Sequence, residues 1–109
     1  MANLFNCSGH PIADAGDFTV VGDFGLIPNV DLTNVESLKA TARAIATKAA
    51  QHARDGAFIA LPGMTTVAAL VLAYLHGMTG SWPRTAWAAR VDGKFIWSSA
   101  NTADLHDVR

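Results

Sequence analysis

Three short segments of this chain carry residue types that could do chemistry. The first is Ser8-Gly9-His10-Pro11-Ile12, directly after the apolar run Ala2–Cys7. Gly9 lets the backbone approach a ligand closely, and Ser8 and His10 offer hydrogen-bond donors and acceptors. A serine nucleophile would also need a base oriented by a third group, and the sequence displays no such set. The alternative to a ligand loop is a turn in which Ser8 and His10 satisfy nearby backbone groups.

The second segment is Leu61-Pro62-Gly63-Met64-Thr65-Thr66, which leads from an apolar run into a helical pattern. A helix N-terminus there presents free N–H groups and the positive end of the dipole, which suits a phosphate or carboxylate. It is neither a Walker loop nor G-x-G-x-x-G. Ordinary capping by threonine is the alternative. The third segment is Leu75–Arg84, LHGMTGSWPR. Gly77 and Gly80 permit tight turns, and Trp82 with Arg84 offers a stacking surface beside a charge, as a nucleobase and its phosphate require. His76 could contact a ligand or, as a cation, meet the negative end of a helix dipole. Trp82 could equally serve a core or a subunit interface. The four histidines, His10, His52, His76 and His106, show no paired H-x-x-x-H spacing, and Cys7 is the single cysteine. No metal site and no cofactor are therefore expected. Asp14, Asp17 and Asp23 could gather in space, but a solvated loop explains them.

The elements that must position these segments follow from periodicity and punctuation. Ala2–Cys7 reads as a buried strand ended by Gly9 and Pro11, and Phe18–Gly22 as a second strand. GLIPNVDL reads as a plain connection. Thr33 and Glu36 fit a capping box, and Val35, Leu38, Ala42, Ile45 and Ala49 then form one apolar stripe, so a helix is predicted over about Thr33–Asp55 with Gly56 beyond its end. Ala57–Leu61 is short and continuously apolar, as a parallel strand buried on both faces would be. Thr65 or Thr66 is expected to cap a second helix near Val67–His76. That helix is apolar nearly all round and should be covered on more than one side, with Gly77 and Gly80 ending it. Thr85–Val91 and Lys94–Ser98 read as strands joined by an Asp92-Gly93 hairpin turn. Asn101–Arg109 is expected to be a short helix or a mobile end. The order predicts a small α/β sandwich with a partly parallel central sheet, helices on its faces and a C-terminal β-hairpin.

The 109 residues make one domain, 1–109, and half of them are hydrophobic, enough for a core. A formal net charge of −1 with no basic block argues against long nucleic acid as a partner. One cysteine fits a reduced, cytoplasmic protein. No signal peptide is expected, since no basic segment and long apolar run open the chain. The most apolar stretch, Val67–Leu75, is far short of the roughly 20 residues that span a bilayer, so no membrane association is expected.

A strand followed by SGHP, a buried strand leading into LPG-x-[ST], and a helix ending LHG with G-x-[aromatic]-P after it resemble one family taken together. These are small Rossmann-like (CARF-like) accessory proteins of type III CRISPR systems, and the resemblance runs to about Val91. It implies a non-catalytic homodimer, with higher assembly on ligand binding conceivable, that binds cyclic tetra-adenylate. Sequestering this second messenger would damp the antiviral effectors. Carried over by position, Ser8, Gly9, His10 and Pro11 belong to the first ligand loop. Gly63, Met64, Thr65 and Thr66 form the second. His76, Gly77 and the Gly80-Ser81-Trp82-Pro83 turn, with Arg84 after it, form the third. The three are expected to converge at one sheet edge. The alternatives are a ring nuclease, in which a 2′-hydroxyl attacks the adjacent phosphate and His10 or His76 moves the proton, and a phage-encoded sponge acting in counter-defence.

Overall fold

A computed structural model describes residues 2–109 of the chain. Its elements are β1 (Ala2–Asn6), β2 (Phe18–Asp23), α1 (Val35–Arg54), β3 (Phe58–Ala60), α2 (Thr65–Thr79), β4 (Arg84–Ala86), β5 (Ala89–Val91), β6 (Lys94–Ile96), β7 (Thr102–Asp104) and α3 (Leu105–Val108). Five strands form one sheet in the order β2-β1-β3-β4-β7. The first four are parallel, and β7 closes the edge antiparallel to β4. The alternation of strands and helices thus gives the mostly parallel α/β sheet it predicts.

The stripe on α1 is buried at Leu38, Ala42, Ile45 and Ala49, while Val35 stands exposed above it and Lys39, Arg43 and Lys48 face solvent. The cap lies one residue later than the predicted box. Asn34 is the N-cap, its side chain accepting from the Ser37 N–H at 3.0 Å. Thr33 is held in the preceding turn instead, donating its N–H and hydroxyl to Asp31 at 2.9 and 2.6 Å. Glu36 pairs with Lys39 at 3.8 Å rather than reaching back. Asp55 ends the helix, and Gly56 follows at φ 85°, a conformation that strains any side chain.

Both long helices pack on one face of the sheet, not on both. There Phe5, Cys7 and Ile59 meet the α1 stripe and Val67, Val71 and Leu75 of α2. The opposite face, Leu4, Phe18, Ala60 and Ala86, is covered by loop residues Ile12 and Ala15 and by Trp97. Within the chain α2 is covered on the side facing the sheet and α1, while Ala69, Ala73 and Gly77 stand outward and expose little apolar area. Two expectations about α2 fail. Met64 is the N-cap and no side chain caps the helix, so Thr65 and Thr66 occupy its first turn. Gly77 lies inside the helix, which ends only at Gly80, at φ 79°.

The predicted strand Thr85–Val91 breaks at Trp87-Ala88. Arg84–Ala86 joins the main sheet, whereas Ala89–Val91 turns away to pair with Lys94–Ile96. Asp92 and Gly93 make that turn at φ 51° and 78°, both positive as a two-residue hairpin requires. Trp97, just beyond the hairpin, passes so close to Gly16 that a Cβ there would lie 2.0 Å from the Trp97 carbonyl oxygen. After the hairpin the polar tail folds back as strand β7 and the short helix α3. Among the described residues, no helix is long and apolar enough to cross a membrane.

Candidate functional site

The chain leaves β1 toward β2 on one side, and returns through α1 to β3 on the other. β1 and β3 are neighbours whose following loops diverge, the place where open α/β sheets form a crevice beyond the strands' carboxyl ends. The crevice is present. A cleft of about 430 Å3 is lined by Ser8, Gly9 and His10 after β1, by Pro62, Gly63 and Met64 after β3, by Val67 of α2, and by the segment Ile27–Val30. Its lining contains no Lys, Arg, Asp or Glu.

Asn6, at the end of β1, shapes the first wall. It is 1% exposed. Its Nδ2 donates to the His10 carbonyl at 2.7 Å and to Asp23 Oδ2 at 3.0 Å. Its Oδ1 accepts from the Ser8 N–H at 3.0 Å and lies 2.7 Å from Ser8 Oγ. Ser8 Oγ in turn accepts from the His10 N–H at 3.2 Å. The hydroxyl is therefore taken up in holding the loop, which is the turn-like role open to it from sequence. Gly9, at φ 83°, lies against Ile27, whose Cδ1 would be 3.1 Å from an added Cβ. His10 and Pro11 are exposed, and only His10 of the two lines the cleft.

The second wall behaves differently. With no side chain capping α2, its first-turn amides face the cleft end of the helix with the positive dipole behind them. Gly63 and Met64 line the cleft, and Thr65 and Thr66 stand exposed beside it on that first turn.

The third predicted segment lies elsewhere. α2 starts beside the cleft and ends 15 residues later, so His76–Trp82 sits ~22 Å away at the opposite end of the strands. The expected convergence of three loops is thus corrected to two. At the far end His76 stacks on Trp82, with ring centroids 4.4 Å apart. Ser81 and Trp82 border a separate hollow of about 230 Å3 with Arg54, and Ser81 donates its N–H to Thr79 Oγ1 at 3.3 Å. Arg84 pairs with Asp104 of β7 at 3.7 Å and lies over the Phe58 ring. Gly77 and Gly80 have open space around them and line neither hollow.

Two contributors carry little signal in the sequence. Ile27–Val30 reads as a mere connection in GLIPNVDL, yet it forms the third wall. Asn6 reads as one residue of an apolar strand, where a carboxamide inside such a run is the available signal. The aspartates do not gather: Asp14 accepts from the Gly16 N–H, Asp17 from Ser99, and Asp23 from Asn6 and Gly25. Ser99 holds Asp17 below the usual carboxylate range, through its hydroxyl first and its amide second. Burial, and then the Asp23 charge, push the Cys7 thiol up to about 12. Among the described residues no three metal-ligating side chains cluster. No family model, curated protein or solved structure matches this chain.

Proposed function

We propose that this chain binds a cyclic oligoadenylate, cyclic tetra-adenylate in particular, in the β1/β3 cleft and sequesters it without cleavage. The observation that carries this reading is the pairing of a glycine loop with an uncapped helix N-terminus across one crevice. Such a place holds a phosphate through backbone amides, without positive side chains. Ile27, Pro28 and Val30 offer an apolar wall for a base. Ser8, Gly9, His10, Gly63, Met64, Thr65 and Thr66 are the residues assigned to the ligand. His76, Gly77, Gly80, Ser81, Trp82 and Arg84 are not.

At about 430 Å3 the cleft has room for part of a four-nucleotide ring. Two copies of the chain related by a two-fold axis would each hold half of it. Damping of type III CRISPR signalling, in a host or on behalf of a phage, would follow from tight binding alone. Because the lining contains no Lys or Arg to stabilise a developing phosphorane charge, binding is favoured over ring cleavage.

Titration calorimetry with cyclic tetra-adenylate tests the reading. One ring bound per two chains is expected, weakened in His10→Ala and unchanged in Trp82→Ala. No heat at micromolar protein would refute it. Linear products after incubation with excess protein would replace it with the ring-nuclease reading, in which His10 moves the proton.

A further inference from the structure

The β5–β6 hairpin is the part of the chain that the fold leaves least covered. It is a sheet of two strands only, and all three residues of β6 are exposed. Such a ribbon is marginal in water without a further strand or a covering layer. It nevertheless carries large apolar side chains: Phe95 is 71% exposed, Val91 47% and Ile96 41%. The register places Arg90 opposite Phe95 on one face, and Val91 and Ile96 on the other.

The phase of the hydrogen bonds decides which backbone groups face outward. Val91 and Lys94 flank the two-residue turn and so form a hydrogen-bonded pair. Pairs alternate along an antiparallel ribbon, so Arg90 and Phe95 form the next, non-hydrogen-bonded pair. The N–H and C=O of Phe95 therefore point away from β5, and among the described residues no hydrogen bond reaches them.

We propose that β6 pairs antiparallel with β6 of a second copy of this chain, about a two-fold axis through Phe95, to make one four-stranded sheet. Phe95 then faces its own counterpart and the two residues exchange both backbone bonds, so the edge is complementary to itself. Ile96 comes opposite Lys94 of the second copy, whose methylene stem covers it. Charge selects this edge over that of β5. There the same operation would set Arg90 against Arg90, and like charges directly opposite are destabilising. Across the β6 edge the two Arg90 residues lie ~14 Å apart, three strand spacings, which is beyond the screening length at physiological salt. This pairing rests on the hairpin alone and is independent of the function proposed above.

Sedimentation velocity without ligand tests it. The wild type is expected to form a closed dimer at micromolar protein. Phe95→Asp alters a side chain already exposed in the single chain. It is expected to keep the far-UV circular dichroism of the wild type and to raise the dissociation constant at least ~10-fold. Phe95→Cys sets two Cα atoms ~5.5 Å apart across the axis, within disulfide reach, so mild oxidation is expected to cross-link it, and Arg90→Cys is expected to stay uncross-linked. Cys7 is buried and does not compete. A monomeric wild type, an open series of larger species, a dimer that survives Phe95→Asp, or Arg90→Cys cross-linking as readily as Phe95→Cys overturns the proposal.

Discussion

Asn6→Asp replaces one nitrogen by one oxygen at a buried position, and its cost can be worked from the bonds that nitrogen makes. The acceptor side survives, since a carboxylate oxygen still receives the Ser8 N–H. The donor side is lost twice. The bond to the neutral His10 carbonyl, 2.7 Å long, is worth about 0.5–1.5 kcal/mol. The bond to the Asp23 carboxylate, 3.0 Å long, is worth about 1.5–3 kcal/mol. Asp23 is exposed and can turn to water, which lowers the second figure. Loss of the two bonds alone comes to about 2–3 kcal/mol, a lower bound at pH 7 because the buried charge adds to it. The new carboxyl is buried beside a second carboxylate, so its folded-state pKa rises above the unfolded value of ~3.9. The folded variant then binds a proton more readily than the unfolded chain, and its stability recovers as pH falls through that raised value. Urea unfolding of wild type and variant at pH 7 and pH 4.5 measures both effects. A deficit under ~0.5 kcal/mol at pH 7, within the range of ordinary surface changes, would refute the role given to Asn6. So would a deficit that does not shrink at pH 4.5.

Gly22 faces the Phe5 ring, and a Cβ there would lie 2.8 Å from its Cε1. Phe5 is 1% exposed and stacks on His52 at 4.5 Å, so the ring cannot retreat, and Gly22→Ala is expected to cost about 1–3 kcal/mol in thermal or urea unfolding. Cys7 is fully buried with its thiol pushed up to about 12, so iodoacetamide at pH 8 should not label the native protein, and labelling within minutes would contradict that burial. Asp17 is held below the ordinary carboxylate range by Ser99, so its contribution is present above that range and is lost as pH falls through the lowered value. In an NMR pH series the Ser99 amide should therefore titrate only below about pH 4, and a midpoint above it would show that the tie is absent.

The parts legible in sequence are those decided by local rules. The α1 stripe, the Gly56 and Gly80 stops, the buried run at Phe58–Ala60 and the Asp92-Gly93 turn depend on spacing and on φ at single residues. The cap falls at Asn34, one position after the predicted box, because Asp31, not the helix, holds Thr33. The break at Trp87-Ala88 is not legible, because no local signal separates an apolar run shared between two sheets from one continuous strand. β7 is a strand only because the β4 edge is there to pair with it.

By itself, then, the sequence determined the types of the elements from β1 to α2, the glycine loop after β1 and the helix start after β3. Their chemistry is intrinsic to backbone geometry and helix dipoles. Tertiary structure alone decided which of these meet. The strand order puts Ser8–His10 and Gly63–Met64 at one crevice, while the rise of α2 carries His76 and Trp82 to the far end. It also brought in Asn6 and Ile27–Val30. Whether a carboxamide braces a loop or lines a cleft is set by the groups that arrive around it from distant parts of the chain.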